Sequence, residues 1–374
     1  MHRATELPAH YLAAFSEQSG YLNFASFGPP SQAVVRCTTE LMTDAAEGAV
    51  GVSDRLHTED VRARAALSRL TGFEQEHITL IPATSYGLFQ LAFGMRGKVL
   101  VSAGEFPANT YPWLRAQQAG VNEVALMGES LARVTPDLVA QHLSAEVTAV
   151  AVSAVDFQTG YRADLAGIRE VIGSERLLLV DGIQGFGIID QDWSVADAVV
   201  TGSQKWVRGG WGSGALALSA AGLERIAPTL GGWTGVEQPS LYDGVAHAQR
   251  SDAAKFNVSN LSPFAAGSFA TALELIEEAG VGAIAARIAT LTSVLAQKLE
   301  DAGVPVLSPR EDERRAGIVV AGFPEGNAAQ AHATLAMAGI SATLHGPHRI
   351  RFSPHATSDL ESLSHVALLL ASFA

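Results

Sequence analysis

Two side chains, Asp181 and Lys205, offer the clearest chemistry in the sequence. Asp181 ends the aliphatic run Leu177–Val180, and Lys205 follows the mostly apolar segment Val195–Gly202 among small polar residues. An apolar run that ends in an acid reads as a buried strand delivering that acid to the carboxyl edge of a sheet, and the second run would bring the amine to the same edge. Taken alone, an Asp and a Lys most often form a structural salt bridge or stand in water. Placed together in a cleft they have another use. The amine can condense with a carbonyl carbon, while the acid keeps a neighbouring ring nitrogen protonated so that the ring withdraws electrons.

Other segments supply matching parts. Thr84 and Ser85 fall between an apolar run and a helical segment, where free backbone N–H groups and hydroxyls make an anion site, although Thr84 serves equally well as a helix cap. Arg349 and Arg351 share one face of a short strand by its period of two. A planar guanidinium there would grip a carboxylate in bidentate fashion. There is no GxxxxGK[ST] phosphate loop, no GxGxxG after a first strand, and no HxH or HExxH metal pattern. Cys37 is the only cysteine, which excludes an intramolecular disulfide and a CxxC redox pair.

The elements that must position these residues follow from the hydrophobic pattern. Strands are expected at Ile78–Ile81, Lys98–Ser102, Ala149–Ser153, Leu177–Val180, Ala198–Thr201 and Ala215–Leu218, with helical segments Tyr86–Phe93, Pro136–His142 and Leu165–Ile172 between them. Strands alternating with helices imply an α/β fold whose mostly parallel sheet is covered on both faces. Residues 1–30 read as an extended N-terminal arm, 31–72 as helix, 31–252 as a large domain and 253–374 as a smaller α+β domain. The latter carries helices at 264–279 and 282–302 and strands near 317–321 and 349–352. With 374 residues, 48% hydrophobic and 17% charged, the chain has ample core material. Its formal charge of −13 argues against nucleic acid or an anionic membrane as partner. Neither a secretory leader nor an uninterrupted apolar span of about 18 residues is visible, so a cytoplasmic location is expected.

Together these motifs resemble the class V aminotransferase family of fold-type-I pyridoxal-phosphate enzymes, which includes cysteine desulfurases, kynureninases and isopenicillin-N-epimerase-like proteins. The resemblance runs from TyrLeuAsnPheAlaSer at residue 21 to ArgPheSerProHis at 351. It implies a seven-stranded, mostly parallel sheet and pyridoxal 5′-phosphate as cofactor. Lys205 would carry the cofactor as a Schiff base and move protons at the substrate α-carbon; Asp181 would hold the pyridine nitrogen. Thr84 and Ser85 would bind the phosphate, with Ser203 and Gln204 as further candidates. Phe106, where cysteine desulfurases have histidine, would lie on the ring face as in kynureninase-like members. Gln184 matches the residue that hydrogen-bonds the ring's phenolic oxygen. Asp156 stands near that oxygen where relatives have Asn or Gln, and Gln158 would share the task. Arg351 matches the arginine that clamps the substrate carboxylate, with Arg349 as alternative. Asn260, beside Ser259, falls where relatives place a hydroxyl that reaches the neighbouring subunit's phosphate. A homodimer with its active site at the subunit interface is therefore expected.

The expected activity is transamination or Cβ elimination of C–S lyase type on a small or medium α-amino acid. Kynureninase-like hydrolysis and epimerase-like racemisation are alternatives. A binding protein that kept the fold but lost the chemistry is the non-enzymatic one, and retention of Lys205, Asp181, Gln184 and Arg351 speaks against it. A desulfurase needs a mobile cysteine before the carboxylate-binding strand, and residues 341–348 contain none.

Overall fold

Seven strands form the central sheet: β1 Ile78–Ile81, β2 Lys98–Ser102, β3 Glu123–Met127, β4 Val147–Ser153, β5 Leu177–Asp181, β6 Ala198–Gly202 and β7 Gly214–Leu218. They lie in the order β1-β7-β6-β5-β4-β2-β3 in a computed structural model that describes residues 7–324 and 326–373. β7 runs antiparallel to both of its neighbours and every other pairing is parallel. The carboxyl ends of β1 to β6 consequently share one edge. Alternation explains the unbroken apolar runs: Leu178 and Val180 of β5 enter one core, while Leu177 and Leu179 enter the core on the opposite face. A strand buried on both sides has no polar face to display.

The helices are α1 Ala9–Ala13, α2 Gln32–Glu47, α3 Val52–Thr71, α4 Thr84–Gly94, α5 Tyr111–Gln118 and α6 Pro136–His142. They continue as α7 Leu165–Ile172, α8 Ala220–Arg225, α9 Pro263–Ala279, α10 Val281–Asp301, α11 Asn327–Met337 and α12 Leu360–Leu370. A second sheet, in the order β8-β10-β9, comprises β8 Val319–Gly322, β9 Thr343–His345 and β10 Arg349–Phe352.

Several features depart from the sequence pattern. The helical stretch 31–72 is two helices, because Gly48 closes α2 in the left-handed region at φ 62. β3 and β9 were not foreseen. Both are short and partly exposed, so neither shows a buried run. α9 contributes Phe269, Leu273 and Ile276 to the core of the large sheet, against α2 and α3, whereas Leu291 and Leu295 of α10 join the core of the small sheet. The passage between the two cores thus falls inside α10. Among the described residues no single helix is long and apolar enough to cross a membrane.

The N-terminal segment ties the parts together. Leu22 and Phe24 bridge to Ser341 and Ser353 of the small domain, and Gly28 N–H donates to the carbonyl of Gln204 at 2.9 Å. A Cβ on Gly28 would stand 2.0 Å from the Lys205 carbonyl oxygen, so only glycine admits this approach. Arg208 locks the same junction. Held at φ 64, it donates to Pro29 O at 2.7 Å and Thr357 Oγ1 at 3.0 Å, and it pairs with Glu17 at 2.6 Å.

Candidate active site

Thr84, Glu105, Asp156, Asp181 and Lys205 all stand at or just beyond the carboxyl ends of parallel strands, where open α/β sheets bind ligands. Asp181 is 2% exposed and accepts the Ile183 N–H at 2.9 Å. Burial pushes its carboxyl up to about 6, against the opposing pull of that hydrogen bond and of the Lys205 charge. Burial likewise brings the Lys205 amine down to about 8; Asp181 resists the fall and the Arg351 charge adds to it. An amine so placed is ready to accept or release a proton near neutrality. Its Nζ lies 5.5 Å from the centroid of Phe106, which packs edge-on against Phe157 at 5.1 Å.

Arg351 reaches the cleft from β10. Its guanidinium donates to Phe157 O at 3.1 Å and Ser26 Oγ at 2.8 Å, while its buried Nε has no partner among the described residues. Burial lowers it to about 10 despite the nearby Asp156. An enclosed guanidinium with a spare N–H is a carboxylate receptor. Asp156 itself accepts from Gln158 N at 2.9 Å and from the Thr159 hydroxyl, which closes its own turn, and burial raises its carboxyl. Gln158 bonds the Gly104 and Ser130 carbonyls. Gln184 is committed on two sides, donating to Ala25 O at 3.0 Å and accepting from the Trp206 indole at 2.7 Å, with one amide hydrogen left over.

Thr84 and Ser85 open α4, whose preceding residue provides no side-chain cap. Thr84 Oγ1 is buried without a partner among the described residues, and an added Cβ at Gly202 would come within 2.6 Å of both that oxygen and Gln204 Oε1. Thr84, Gly202 and Gln204 therefore meet at an uncapped helix start, which fits a phosphate. Ser203 points elsewhere: its hydroxyl bonds the Gly210 carbonyl and Ser213. Asn260 and Ser259 are exposed and border surface hollows shared with Asp60 and Asn257, apart from the Lys205 cleft. An orphaned hydroxyl at a helix start, an aromatic face beside an amine, and a buried acid together fit a phosphorylated aromatic aldehyde.

Glu105 is a candidate site residue absent from the sequence reading, which took its segment only for Phe106. The residue is partly exposed but its carboxylate end is enclosed, accepting Ser153 N at 2.8 Å and the Ser153 hydroxyl. Burial pushes it up to about 7, and the Asp181 charge adds to the rise. Its place immediately before Phe106 carries no signature by itself; the signal is Ser153 and Asp181 brought beside it by the fold. His355, by contrast, is core: it lies between Phe24 and Trp206, and burial holds it well below the ordinary histidine range.

Comparison with known proteins agrees with this geometry. The aminotransferase class-V family profile matches residues 52–363. A kynureninase from Deinococcus radiodurans is 24% identical over 305 residues, covering 78% of this chain and 72% of that protein. Among solved structures, the cystine C–S lyase C-DES with its product cysteine persulfide superposes with a TM-score of 0.86 at 21% identity, covering 96% of this chain and 98% of that one. Apo cysteine desulfurase from Thermococcus onnurineus NA1 gives 0.87 at 18%, covering 98% of each. The structural likenesses establish the fold. The chain belongs to the class-V aminotransferases, enzymes that depend on pyridoxal 5′-phosphate.

Proposed function

We propose that the protein is a pyridoxal-phosphate lyase that eliminates a leaving group from Cβ of a small or medium α-amino acid, in the manner of a C–S lyase. The observation that carries this is the convergence of the Lys205 amine, the Asp181 carboxylate and the unsatisfied Arg351 guanidinium on one cleft. When bound, the cofactor supplies an electron sink for a carbanion at Cα. Thr84, Ser85 and Gln204 would hold its phosphate, Phe106 would offer its ring a face and Asp181 would keep its nitrogen protonated. Gln184 would have its spare amide hydrogen for the phenolic oxygen.

Arg351 takes the substrate carboxylate and so fixes which Cα bond faces the ring. Lys205 would withdraw the α-proton as the Cβ–S bond breaks and could pass it to the departing sulfur. The family resemblance to a named cystine C–S lyase supports elimination over amino transfer. The absence of cysteine from residues 341–348 supports release of the sulfur fragment rather than its storage on the protein. Phe106 and the similarity to a kynureninase favour kynurenine-type cleavage as the second reading. A second copy of the chain would complete the site: the resemblance assigns Asn260 to a neighbouring subunit's phosphate, and Asn260, Trp233 and Tyr242 are exposed.

The test is a yellow preparation whose absorbance is discharged by borohydride and is absent in Lys205→Ala, followed by an amino-acid panel that includes cysteine conjugates, kynurenine and alanine. Keto acid should form from cysteine conjugates without an added amino acceptor. Product that appears only with an acceptor would refute elimination. Light scattering that found only monomers would refute the shared site.

A further inference from the structure

The cleft carries a second cation that the proposed chemistry at Cα does not use. In the small sheet Arg351 pairs in register with Thr343, and Arg349 with His345. Register partners share a face, and Ile350 and Phe352 occupy the opposite face in the small-domain core. Thr343, His345, Arg349 and Arg351 therefore form one wall turned towards the loop after β4. Arg351 contacts that loop at Phe157 O, and Arg349 contacts it at Gln158 Oε1, 3.5 Å away.

Neither guanidinium has a carboxylate within ion-pairing distance among the described residues, although both reach into a cleft that binds anions in the proposed reading, and buried Arg208 and Arg315 each have one. The nearest acid, Asp156, is spent on Gln158 N and the Thr159 hydroxyl. His345 lies 5.9 Å from the Phe157 ring, and burial together with the two arginines holds it neutral, down to about 4. It can therefore donate a neutral hydrogen bond without adding charge. Arg349 is the more exposed of the two arginines and sits at the mouth, outward of Arg351. Residues two apart on a strand place their Cα atoms roughly 6.6 Å from one another.

The geometry points to a substrate with two carboxylates: Arg351 takes the one on Cα, and Arg349, assisted by His345, takes a second at the end of the side chain. This rests on the proposed reading of Arg351 as the α-carboxylate receptor and narrows the substrate to acidic amino acids, among them cysteine S-conjugates that end in a carboxylate. With such a substrate the leaving group is held at the mouth while the bond to Cβ breaks. The sulfur takes the bonding electron pair and a proton, and departs as a free thiol.

Binding of inert probes tests the assignment without turnover. Glutarate and butyrate would be titrated calorimetrically into the pyridoxal-phosphate-loaded protein and into Arg349→Gln, Arg349→Lys and Arg351→Gln. Glutarate should bind wild type roughly tenfold or more tightly than butyrate, the scale of one charge-assisted carboxylate contact. Arg349→Gln should abolish that advantage while leaving butyrate unchanged, Arg349→Lys should recover part of it, and Arg351→Gln should weaken both ligands. Equal affinities in wild type, or equal loss of both ligands in Arg349→Gln, would overturn the second-anion assignment alone. Failure of wild type to take up pyridoxal phosphate, or an Arg351→Gln variant that binds both ligands normally, would overturn the reading beneath it as well.

Discussion

Glu105→Gln isolates a charge that the site holds against its ordinary acidity. In the folded chain this carboxyl is raised from 4.5 to about 7, chiefly by burial. A raised carboxyl binds its proton more tightly when folded, so the penalty is absent below pH 4.5, grows between 4.5 and 7, and is complete above. Two and a half units correspond to about 3.4 kcal/mol at most. Allowing for solvent at the residue's exposed side, stability gained by the glutamine variant should exceed its gain at pH 5 by about 2 kcal/mol when measured at pH 8. For a chain of 374 residues that is a melting-point difference of roughly 3 °C. Glutamine keeps an acceptor for Ser153 N and gains a donor for the Ser153 hydroxyl, so geometry is preserved. Asp181 titrates in both proteins and largely cancels. Thermal melts of the cofactor-stripped forms at pH 5, 6, 7 and 8 would show the curves diverging upward with pH. Parallel curves would refute the claim that Glu105 is held as an acid.

Three further expectations concern the frame around the site. Thr84→Val removes an unpartnered buried hydroxyl, so the cofactor-free protein should melt no lower than wild type, while pyridoxal-phosphate affinity by fluorescence titration falls roughly tenfold. Gly28→Ala drives a methyl into the Lys205 carbonyl and should cost on the order of 1–3 kcal/mol in chemical denaturation, with faster loss of bound cofactor on dialysis. Arg208→Ala leaves Glu17 charged in a closed pocket and should lower stability by about 3–5 kcal/mol, read from the shift in denaturant midpoint.

Much of the scaffold was legible because buried parallel strands leave uninterrupted apolar runs, and β2, β4 and β5 show them plainly. β3 was not, since an edge strand reading Glu123–Met127 with mixed exposure shows neither a run nor a clean alternation. The site was legible at the level of which residues approach the carboxyl edge, because strand ends deliver Asp181 and Lys205 there. Side-chain direction was not. The hydroxyl of Ser203 could turn to the phosphate or to Gly210, and only the course of the glycine-rich loop decides for Gly210. The partners that hold Asp156 and Gln184 were equally hidden: Asp156 is bonded within its own turn and Gln184 by Ala25 and Trp206, and no local pattern encodes those contacts. Glu105 escaped notice because a lone acid ahead of an aromatic carries no signature of its own until Ser153 and Asp181 are brought beside it.

The arm from Leu22 to Gly28 has one end fastened beside the small sheet at Ser353 and the other to the backbone carbonyl next to Lys205. It is thus a tie rod between two bodies. The spacing between the strand that carries Arg351 and the peptide that carries Lys205 is therefore set through one short stretch of backbone, and not only by the packing of the two cores.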